Sequence, residues 1–143
     1  MSIETNTNDY ANTINKYILL VDDEKDILEL YTEYLTSNGL KIIPFSDPME
    51  ALNYLHGNLN NCSLVITDYQ MDQMSGFDFI KNIRGIDVNF IIKIIVITAY
   101  IKNNLLIDKS NNLRIDKIIE KPILLEKLKD EVKMLLLSIS FYN

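Results

Sequence analysis

The chain has 143 residues, of which 48% are hydrophobic and 24% are charged, and its formal net charge at pH 7 is −6. This length is typical of one domain with one hydrophobic core, and the composition excludes a globally disordered chain. The negative charge argues against a nucleic-acid partner, and a single cysteine and a single histidine exclude a disulfide framework or a zinc site with the usual ligands.

The first 15 residues differ in composition from the rest of the chain. Residues 1–15 are rich in Asn and Thr, show little apolar periodicity and are predicted to form a flexible polar arm. They do not resemble a signal peptide, and no apolar run reaches the roughly 20 residues that a membrane-spanning helix requires. We therefore expect one globular domain over residues 16–143, no membrane insertion and a location in the cytoplasm.

Five short aliphatic runs after the arm are predicted to form strands. Unbroken aliphatic runs are typical of parallel strands that are covered on both faces, whereas half-exposed strands alternate apolar and polar residues. The predicted strands are Tyr17–Val21, Lys41–Phe45, Leu64–Thr67, Ile91–Thr98 and Asp116–Ile119.

Amphipathic segments between these runs predict helices. The first helix ends at Asn38-Gly39 and is predicted to bury a face formed by Ile27, Leu30, Tyr31, Tyr34 and Leu35. The next two begin at Asp47-Pro48, extending to Leu55, and at Ser75 or Gly76. A weaker helix covers about residues 102–110, and the last covers about residues 124–137 and is predicted to bury Leu125, Leu128, Val132 and Leu135. Alternation of strand and helix predicts an α/β fold with a parallel sheet and helices on both faces.

Polar side chains lie where these predicted strands end. Asp22 and Asp23 follow the first strand, Asp68 follows the third, Thr98 ends the fourth and Lys121 follows the fifth. Each has a structural explanation of its own, since Asp caps helices and Thr is common in strands. Because the carboxyl ends of parallel strands meet at one edge of a sheet, their coincidence favours a shared crevice.

The residue types in this crevice predict phosphoryl chemistry. Three clustered carboxylates require a cation, and oxygen ligands without His or Cys favour Mg²⁺. A carboxylate beside Mg²⁺ can attack a phosphoryl group and form an aspartyl phosphate if the charge on the phosphoryl oxygens is neutralised. That neutralisation would come from the metal ion held by Asp23, from the Lys121 ammonium and from the Thr98 hydroxyl. Asp68, on the central strand, is then the predicted nucleophile.

Five short motifs resemble the receiver domain of two-component response regulators. They are Leu-Leu-Val-Asp-Asp-Glu at 19–24, Val-Ile-Thr-Asp-Tyr-Gln-Met at 65–71, Met-Ser-Gly at 74–76, Ile-Thr-Ala at 97–99 and Glu-Lys-Pro at 120–122. The resemblance covers about residues 16–140. It implies the flavodoxin-like receiver fold, a five-stranded parallel sheet in the order 2-1-3-4-5, and this strand order is inherited from the family.

The resemblance also implies roles for the polar residues. The Mg²⁺ ligands would be Asp22, Asp23, Asp68 and the backbone carbonyl of Gln70, with Asp22 acting mainly through water. The catalytic set would be Asp68 as phosphoacceptor, Thr98 and Lys121. The lysine ammonium would pair with the acceptor carboxylate before phosphorylation, and the threonine hydroxyl would bond the phosphoryl group afterwards. The Lys121-Pro122 peptide bond would be cis.

Two positions depart from the usual pattern of the family. Ile118 lies three positions before the lysine, where the family usually has an aromatic ring that turns inward on phosphorylation, so that switch is not expected in its usual form. Asp72 lies four positions after the phosphoacceptor, where the family usually has proline. A more mobile loop is expected there, and the Asp72 carboxylate either adds charge to the site or is a solvated turn residue.

Together these features predict a stand-alone phosphorylation switch of a two-component phosphorelay. It would accept a phosphoryl group from a histidine kinase or a phosphotransfer protein. It would catalyse its own phosphoryl transfer and autodephosphorylation, but it would turn over no separate substrate and so would not be an ordinary enzyme. The signal would reach an unknown downstream protein, or a second copy in a homodimer, through the fourth helix, fifth strand and fifth helix of the family fold, about residues 102–137.

Two alternatives stay open at this point. A degenerate receiver would use the same fold as a phosphorylation-independent protein-binding module, which the departures at Ile118 and Asp72 motivate. A phosphatase of the haloacid-dehalogenase type would also use Asp, Thr, Lys and Mg²⁺. That class requires Asp-x-Asp after the first strand, whereas Asp22 is followed two residues later by Glu24, and no segment is spare for its cap. The absence of Gly-x-x-x-x-Gly-Lys excludes a nucleotide-binding P-loop.

Overall fold

The computed structural model describes residues 15–99 and 112–142 of the chain. Nearly all of the predicted arm and the whole predicted helix near residues 102–110 lie outside these described residues. The remaining predicted elements all fall inside them.

Strands and helices alternate along the described residues. The strands are β1 (Tyr17–Val21), β2 (Ile42–Phe45), β3 (Cys62–Asp68), β4 (Lys93–Thr98) and β5 (Lys117–Glu120). The helices are α1 (Lys25–Ser37), α2 (Pro48–Asn58), α3 (Gly76–Ile86) and α4 (Leu125–Tyr142). The five predicted strands are confirmed, although α2 and α4 extend beyond their predicted ends. No helix within the described residues has the length and apolar character needed to cross a bilayer.

The five strands form one parallel sheet in the order β2-β1-β3-β4-β5, as the family resemblance implied. The central strand β3 pairs with β1 and β4, and all seven of its residues are buried. The register places Val21 opposite Thr67 and Asp68 opposite Ile97. The carboxyl end of β3 is therefore flanked on both sides by the ends of its neighbours.

The sheet separates two apolar layers, and this explains why the strands are unbroken aliphatic runs. Ile18 and Leu20 of β1 belong to the core cluster that includes residues of α1 and α4. Leu19 and Val21 belong to the cluster that includes residues of α2 and α3. Successive strand residues face opposite sides, so each side needs its own apolar set. Full burial of one large aliphatic side chain contributes about 1.5–3 kcal/mol relative to its exposure.

The helix boundaries follow from local hydrogen bonding. The Asp47 side chain accepts a hydrogen bond of 2.9 Å from the Met49 N–H, with Pro48 at the first helical position of α2. The Ser75 hydroxyl accepts one of 3.1 Å from the Asp78 N–H and so begins α3. Helix α1 ends where Gly39 adopts φ = +88°, a left-handed conformation that glycine adopts without steric cost.

Two predicted helix faces are rotated relative to the structure. Leu30 was expected on the buried face of α1 but is 48% exposed, and Leu28 is buried in its place. In α4, Leu136 is fully buried, whereas the predicted Leu135 is only partly buried. In both helices the error arises because i+3 and i+4 spacings fit two adjacent stripes of an amphipathic helix equally well. Contact with the sheet selects one of them.

Candidate functional site

Four of the five polar residues predicted from the strand ends meet at the carboxyl edge of the sheet: Asp22, Asp23, Asp68 and Lys121. One oxygen from each of Asp22, Asp23 and Asp68 lies within 4.8 Å of the others. The Lys121 ammonium lies 3.4 Å from Asp68 Oδ1 and 3.9 Å from Asp22 Oδ2. The structure therefore brings three carboxylates and one ammonium, from the ends of β1, β3 and β5, into one cluster.

Two of these carboxylates are oriented by backbone groups close to them in the chain. Asp22 Oδ1 accepts a hydrogen bond of 2.9 Å from the Glu24 N–H. Asp68 Oδ1 accepts one of 3.0 Å from the Tyr69 N–H. Both carboxylates are buried. Their orientation thus follows directly from the turn that ends each strand.

The third carboxylate is oriented by a distant part of the chain. Asp23 Oδ2 accepts a hydrogen bond of 2.9 Å from the N–H of Asp72, which lies in the loop between β3 and α3. Sequence reasoning treated Asp72 only as a source of charge or as a solvated turn residue. The contact is made by the backbone N–H, which every residue type except proline has. Its only trace in the sequence is therefore the absence of the proline that is usual in the family at this position.

Burial dominates the electrostatics of the cluster. It raises the pKa of Asp22 to about 6, although the Glu24 N–H acts in the opposite direction. Burial also raises the pKa of Asp68, and the neighbouring Lys121 ammonium partly offsets this shift. For Lys121, burial alone would lower the pKa, but the Asp68 and Asp22 carboxylates outweigh it and raise the pKa. The cluster therefore holds negative charge that is poorly solvated.

The donor set fits Mg²⁺. Three carboxylates and one ammonium carry a formal net charge of −2, which one divalent cation would balance. All of the candidate ligand atoms are oxygens, as a hard cation prefers. The exposed Gln70 lines an open cleft of about 360 Å³ together with Asp23 and Asp72, which leaves room for coordinated water.

Thr98 and Lys121 are joined through the backbone. Thr98 is 3% exposed at the end of β4, and its carbonyl oxygen accepts a hydrogen bond of 2.7 Å from the Lys121 N–H. The Lys121-Pro122 peptide bond is cis, as the family resemblance implied. Ile118 is partly buried opposite Val96 and packs against the core on the α2–α3 side of the sheet.

Gly76 permits a close approach between α3 and the end of β3. A Cβ atom at this position would lie 2.6 Å from the Asp68 carbonyl oxygen and 2.9 Å from the Tyr69 Cα. The Gly76 N–H donates a hydrogen bond of 2.7 Å to the Tyr69 carbonyl. Sequence reasoning identified Gly76 as a possible helix start and as part of the Met-Ser-Gly motif of the family resemblance, but it assigned no contact to this glycine.

Comparison with known proteins places these observations in a family. The sequence model of the response regulator receiver domain matches residues 18–133. Sporulation initiation phosphotransferase F from Bacillus subtilis is 28% identical over 120 residues, which cover 84% of this chain and 93% of that protein. Response regulator SaeR from Staphylococcus epidermidis is 31% identical over 77 residues, which cover 52% of this chain but only 32% of SaeR. The chain thus matches about a third of the length of that relative.

Solved structures share the fold. A response regulator receiver domain protein from Clostridium thermocellum superposes with a TM-score of 0.79 at 23% identity, covering 90% of this chain and 99% of that one. A response regulator receiver protein from Pseudomonas putida gives a TM-score of 0.74 at 29% identity, covering 84% and 97%. Receiver domains are signalling switches that bind Mg²⁺ at an acidic pocket and work with a histidine kinase or phosphotransfer partner. With its sheet order, its acidic cluster and a family match over residues 18–133, the chain belongs to the response regulator receiver domains of two-component systems.

Proposed function

We propose that this receiver domain is a phosphorelay switch whose phosphoacceptor is Asp68. The observation that carries the proposal is the position of the Asp68 carboxylate, at the end of the central strand, 3.4 Å from the Lys121 ammonium and beside two further carboxylates. The phosphoryl group would come from a histidine kinase or a phosphotransfer protein. The relative named a phosphotransferase, which matches over 93% of its length, supports phosphoryl transfer by a domain of this kind.

The transfer is a displacement at phosphorus. An oxygen of Asp68 forms the new P–O bond while the P–N bond to the donor histidine breaks, and the bonding electron pair leaves with the imidazole nitrogen. The Tyr69 N–H and the Lys121 ammonium both contact Oδ1, so we expect Oδ2 to attack. Asp22, Asp23, Asp68 and the Gln70 carbonyl would hold Mg²⁺, which neutralises charge on the transferred group.

Two further side chains would complete the neutralisation. The Lys121 ammonium would exchange its contact with the Asp68 carboxylate for one with a phosphoryl oxygen. The Thr98 hydroxyl would donate a hydrogen bond to another phosphoryl oxygen. Attack by water on the same phosphorus would return the free carboxylate, so the domain would catalyse its own dephosphorylation but turn over no separate substrate.

The phosphorylated state would be transmitted through protein contacts. Part of the predicted responsive face, about residues 102–137, lies outside the described residues. In the described part, Lys117 of β5 and Glu131 of α4 form an ion pair of 3.1 Å, and Leu124 is 78% exposed beside it. The downstream target, the pairing of two copies, the cytoplasmic location and the arm–domain boundary after residue 15 stay predictions.

Intact-mass measurement tests the proposal directly. With acetyl phosphate and Mg²⁺, the parent protein should gain the mass of one phosphoryl group, and a chelator in excess of Mg²⁺ should prevent the gain. Asp68→Asn should show no adduct, whereas Asp130→Asn, at an exposed site on α4, should react like the parent. An adduct that persists in Asp68→Asn would refute Asp68 as the acceptor. A folded parent without any adduct would favour the phosphorylation-independent binding module.

A further inference from the structure

The three carboxylates of the site share one feature. Each has one oxygen bound to a backbone N–H at 2.9–3.0 Å. For Asp22 and Asp68 the donor lies one or two residues further along the chain. For Asp23 it belongs to Asp72, 49 positions away. The orientation of Asp23 therefore depends on a loop that is distant from it in the chain, whereas Asp22 and Asp68 are oriented by the residues that directly follow each of them.

This loop, residues 69–75, is itself fastened to the protein. The Gly76 N–H donates to the Tyr69 carbonyl at 2.7 Å and so ties its two ends together. The rings of Tyr69 and Phe77 meet edge to face, with centroids 5.0 Å apart. Met71 and Met74 pack against the core cluster of the α2–α3 side. The loop is thus held in place by contacts with α3 and with the core on the α2–α3 side of the sheet. In this position it presents the Asp72 N–H to Asp23.

We propose, on the basis of the function proposed above, that the backbone N–H of Asp72 is a positioning group for Mg²⁺. By bonding Oδ2 of Asp23 it limits rotation of that carboxylate and leaves the other oxygen to the ion. Asp23 is the least buried of the three carboxylates, so this restriction matters most there. If this hydrogen bond favours Mg²⁺ binding, Mg²⁺ binding must favour the hydrogen bond by the same free energy. Mg²⁺ bound to Asp23 therefore strengthens the bond between the Asp72 N–H and Asp23 and orders the loop.

Two substitutions of Asp72 separate its N–H from its carboxylate. Asp72→Ala removes the charge and keeps the N–H, whereas Asp72→Pro removes both. Mg²⁺ affinity is measured by titration calorimetry with MgCl₂ at physiological ionic strength, after circular dichroism has confirmed that each variant is folded. We expect Asp72→Pro to bind Mg²⁺ about three- to tenfold more weakly than Asp72→Ala, the loss expected for one hydrogen bond to a partly exposed carboxylate.

The same pair is then compared in a chain that carries Asp23→Ala. Without the acceptor, the proline and alanine variants should bind Mg²⁺ with equal, weaker affinity. Equal affinities in the presence of Asp23 would overturn the proposal. A difference that survives Asp23→Ala would also overturn it, because proline would then act on the loop in some other way.

Amide hydrogen exchange supplies a readout that needs neither proline nor phosphorylation. The Asp72 N–H should exchange more slowly in the parent than in Asp23→Ala, and Mg²⁺ should slow it further only in the parent. Unchanged exchange on loss of Asp23 would overturn the proposal even if Asp72→Pro failed to fold. A parent that binds no Mg²⁺ would refute the proposed function itself, whereas a parent that binds Mg²⁺ without slowing this exchange would refute only the role of Asp72.

Discussion

Asp22 lies in an environment that opposes its charge. Its side chain is 3% exposed, and burial raises its pKa to about 6. The Lys121 ammonium is 3.9 Å from Asp22 Oδ2 but closer, at 3.4 Å, to Asp68 Oδ1. Without a bound cation, the ionised form of Asp22 therefore destabilises the folded state at neutral pH. The same poorly solvated charge favours cation binding, so affinity for Mg²⁺ and stability of the metal-free fold oppose each other at this residue.

Replacing Asp22 with asparagine should reveal this opposition. At pH 7 and without Mg²⁺, Asp22→Asn should raise the free energy of unfolding by about 1–3 kcal/mol, because the amide keeps the shape of the side chain without its charge. Urea denaturation measures this change, and Asp130→Asn, at an exposed position, should change little. Calorimetry with MgCl₂ should show weaker binding by Asp22→Asn. Lower stability in this variant would contradict the interpretation.

The pH dependence of stability should carry the same signature. The pKa of Asp22 is raised on folding from 3.8 to about 6, so the folded state binds this proton more tightly than the unfolded state. The free energy of unfolding should therefore rise as the pH falls from 7 through 6 towards 4. Burial also raises the pKa of Asp68, which changes the free energy of unfolding in the same direction. Urea denaturation of the metal-free protein at pH 7 and pH 5 tests this. The increase should be smaller in Asp22→Asn, and equal increases would refute the assignment to Asp22.

At the scale of the elements, the strands were the most predictable part of the fold and the helix faces the least. A short unbroken aliphatic run between amphipathic segments, such as β1, indicates a strand covered on both faces, because it is too short for a buried helix. A helix face is ambiguous, because a rotation of one residue about the helix axis preserves most of the i+3 and i+4 pairs. Leu30 and Leu135 were placed on buried faces for this reason, and packing against the sheet selected Leu28 and Leu136.

Two glycines in α3 offer a test of how this helix meets the site. Gly76→Ala would place a Cβ 2.6 Å from the Asp68 carbonyl oxygen, so the backbone of Asp68, the proposed phosphoacceptor, would have to move. We expect a loss of about 1–3 kcal/mol in the free energy of unfolding, as for other overpacked sites, together with weaker Mg²⁺ binding.

Gly85→Ala is the matched control for this substitution. Gly85 lies near the other end of α3. Apart from its chain neighbours and the backbone of its own helix, no heavy atom of the described residues lies within 4 Å of a Cβ added there. Alanine should therefore stabilise the helix by about 0.5–1 kcal/mol and leave Mg²⁺ affinity unchanged. Thermal unfolding and calorimetry on both variants check this pair. Similar effects at the two positions would show that the close approach at Gly76 does not constrain the site.

At the scale of the whole molecule, the sequence predicts the part of the site that the order and direction of the strands determine. The side chains that follow β1, β3 and β5 were expected to converge because parallel strands end at one edge, and they do so through Asp22, Asp68 and Lys121. The contact of Asp72 with Asp23 depends on the path of a loop, and the donor is a backbone group that nearly every residue has. The absence of the usual proline makes this donor available, but the acceptor that it meets can be read only from coordinates.

The opposite end of the sheet contains a second buried charge cluster, centred on Arg84. Its guanidinium contacts Asp87 Oδ2 at 3.1 Å and donates to the carbonyls of Leu113, Arg114 and Ile92. Asp87 is 1% exposed and also accepts from the N–H groups of Ile91 and Ile92. Arg84 thus joins the end of α3 to the segments that precede β4 and β5.

Removing Arg84 should separate the stability of the fold from the chemistry of the site. Arg84→Met should lower the free energy of unfolding by about 3–5 kcal/mol, because it leaves the buried Asp87 carboxylate without its cation. Arg114→Met is the matched control, since Arg114 lies over the same Phe90 ring but is exposed, and it should cost no more than about 1 kcal/mol. Under conditions where both variants are folded, calorimetry should give the parent Mg²⁺ affinity, because the acidic cluster lies at the other edge of the sheet. A weaker affinity in Arg84→Met alone would show instead that the two ends of the sheet are coupled.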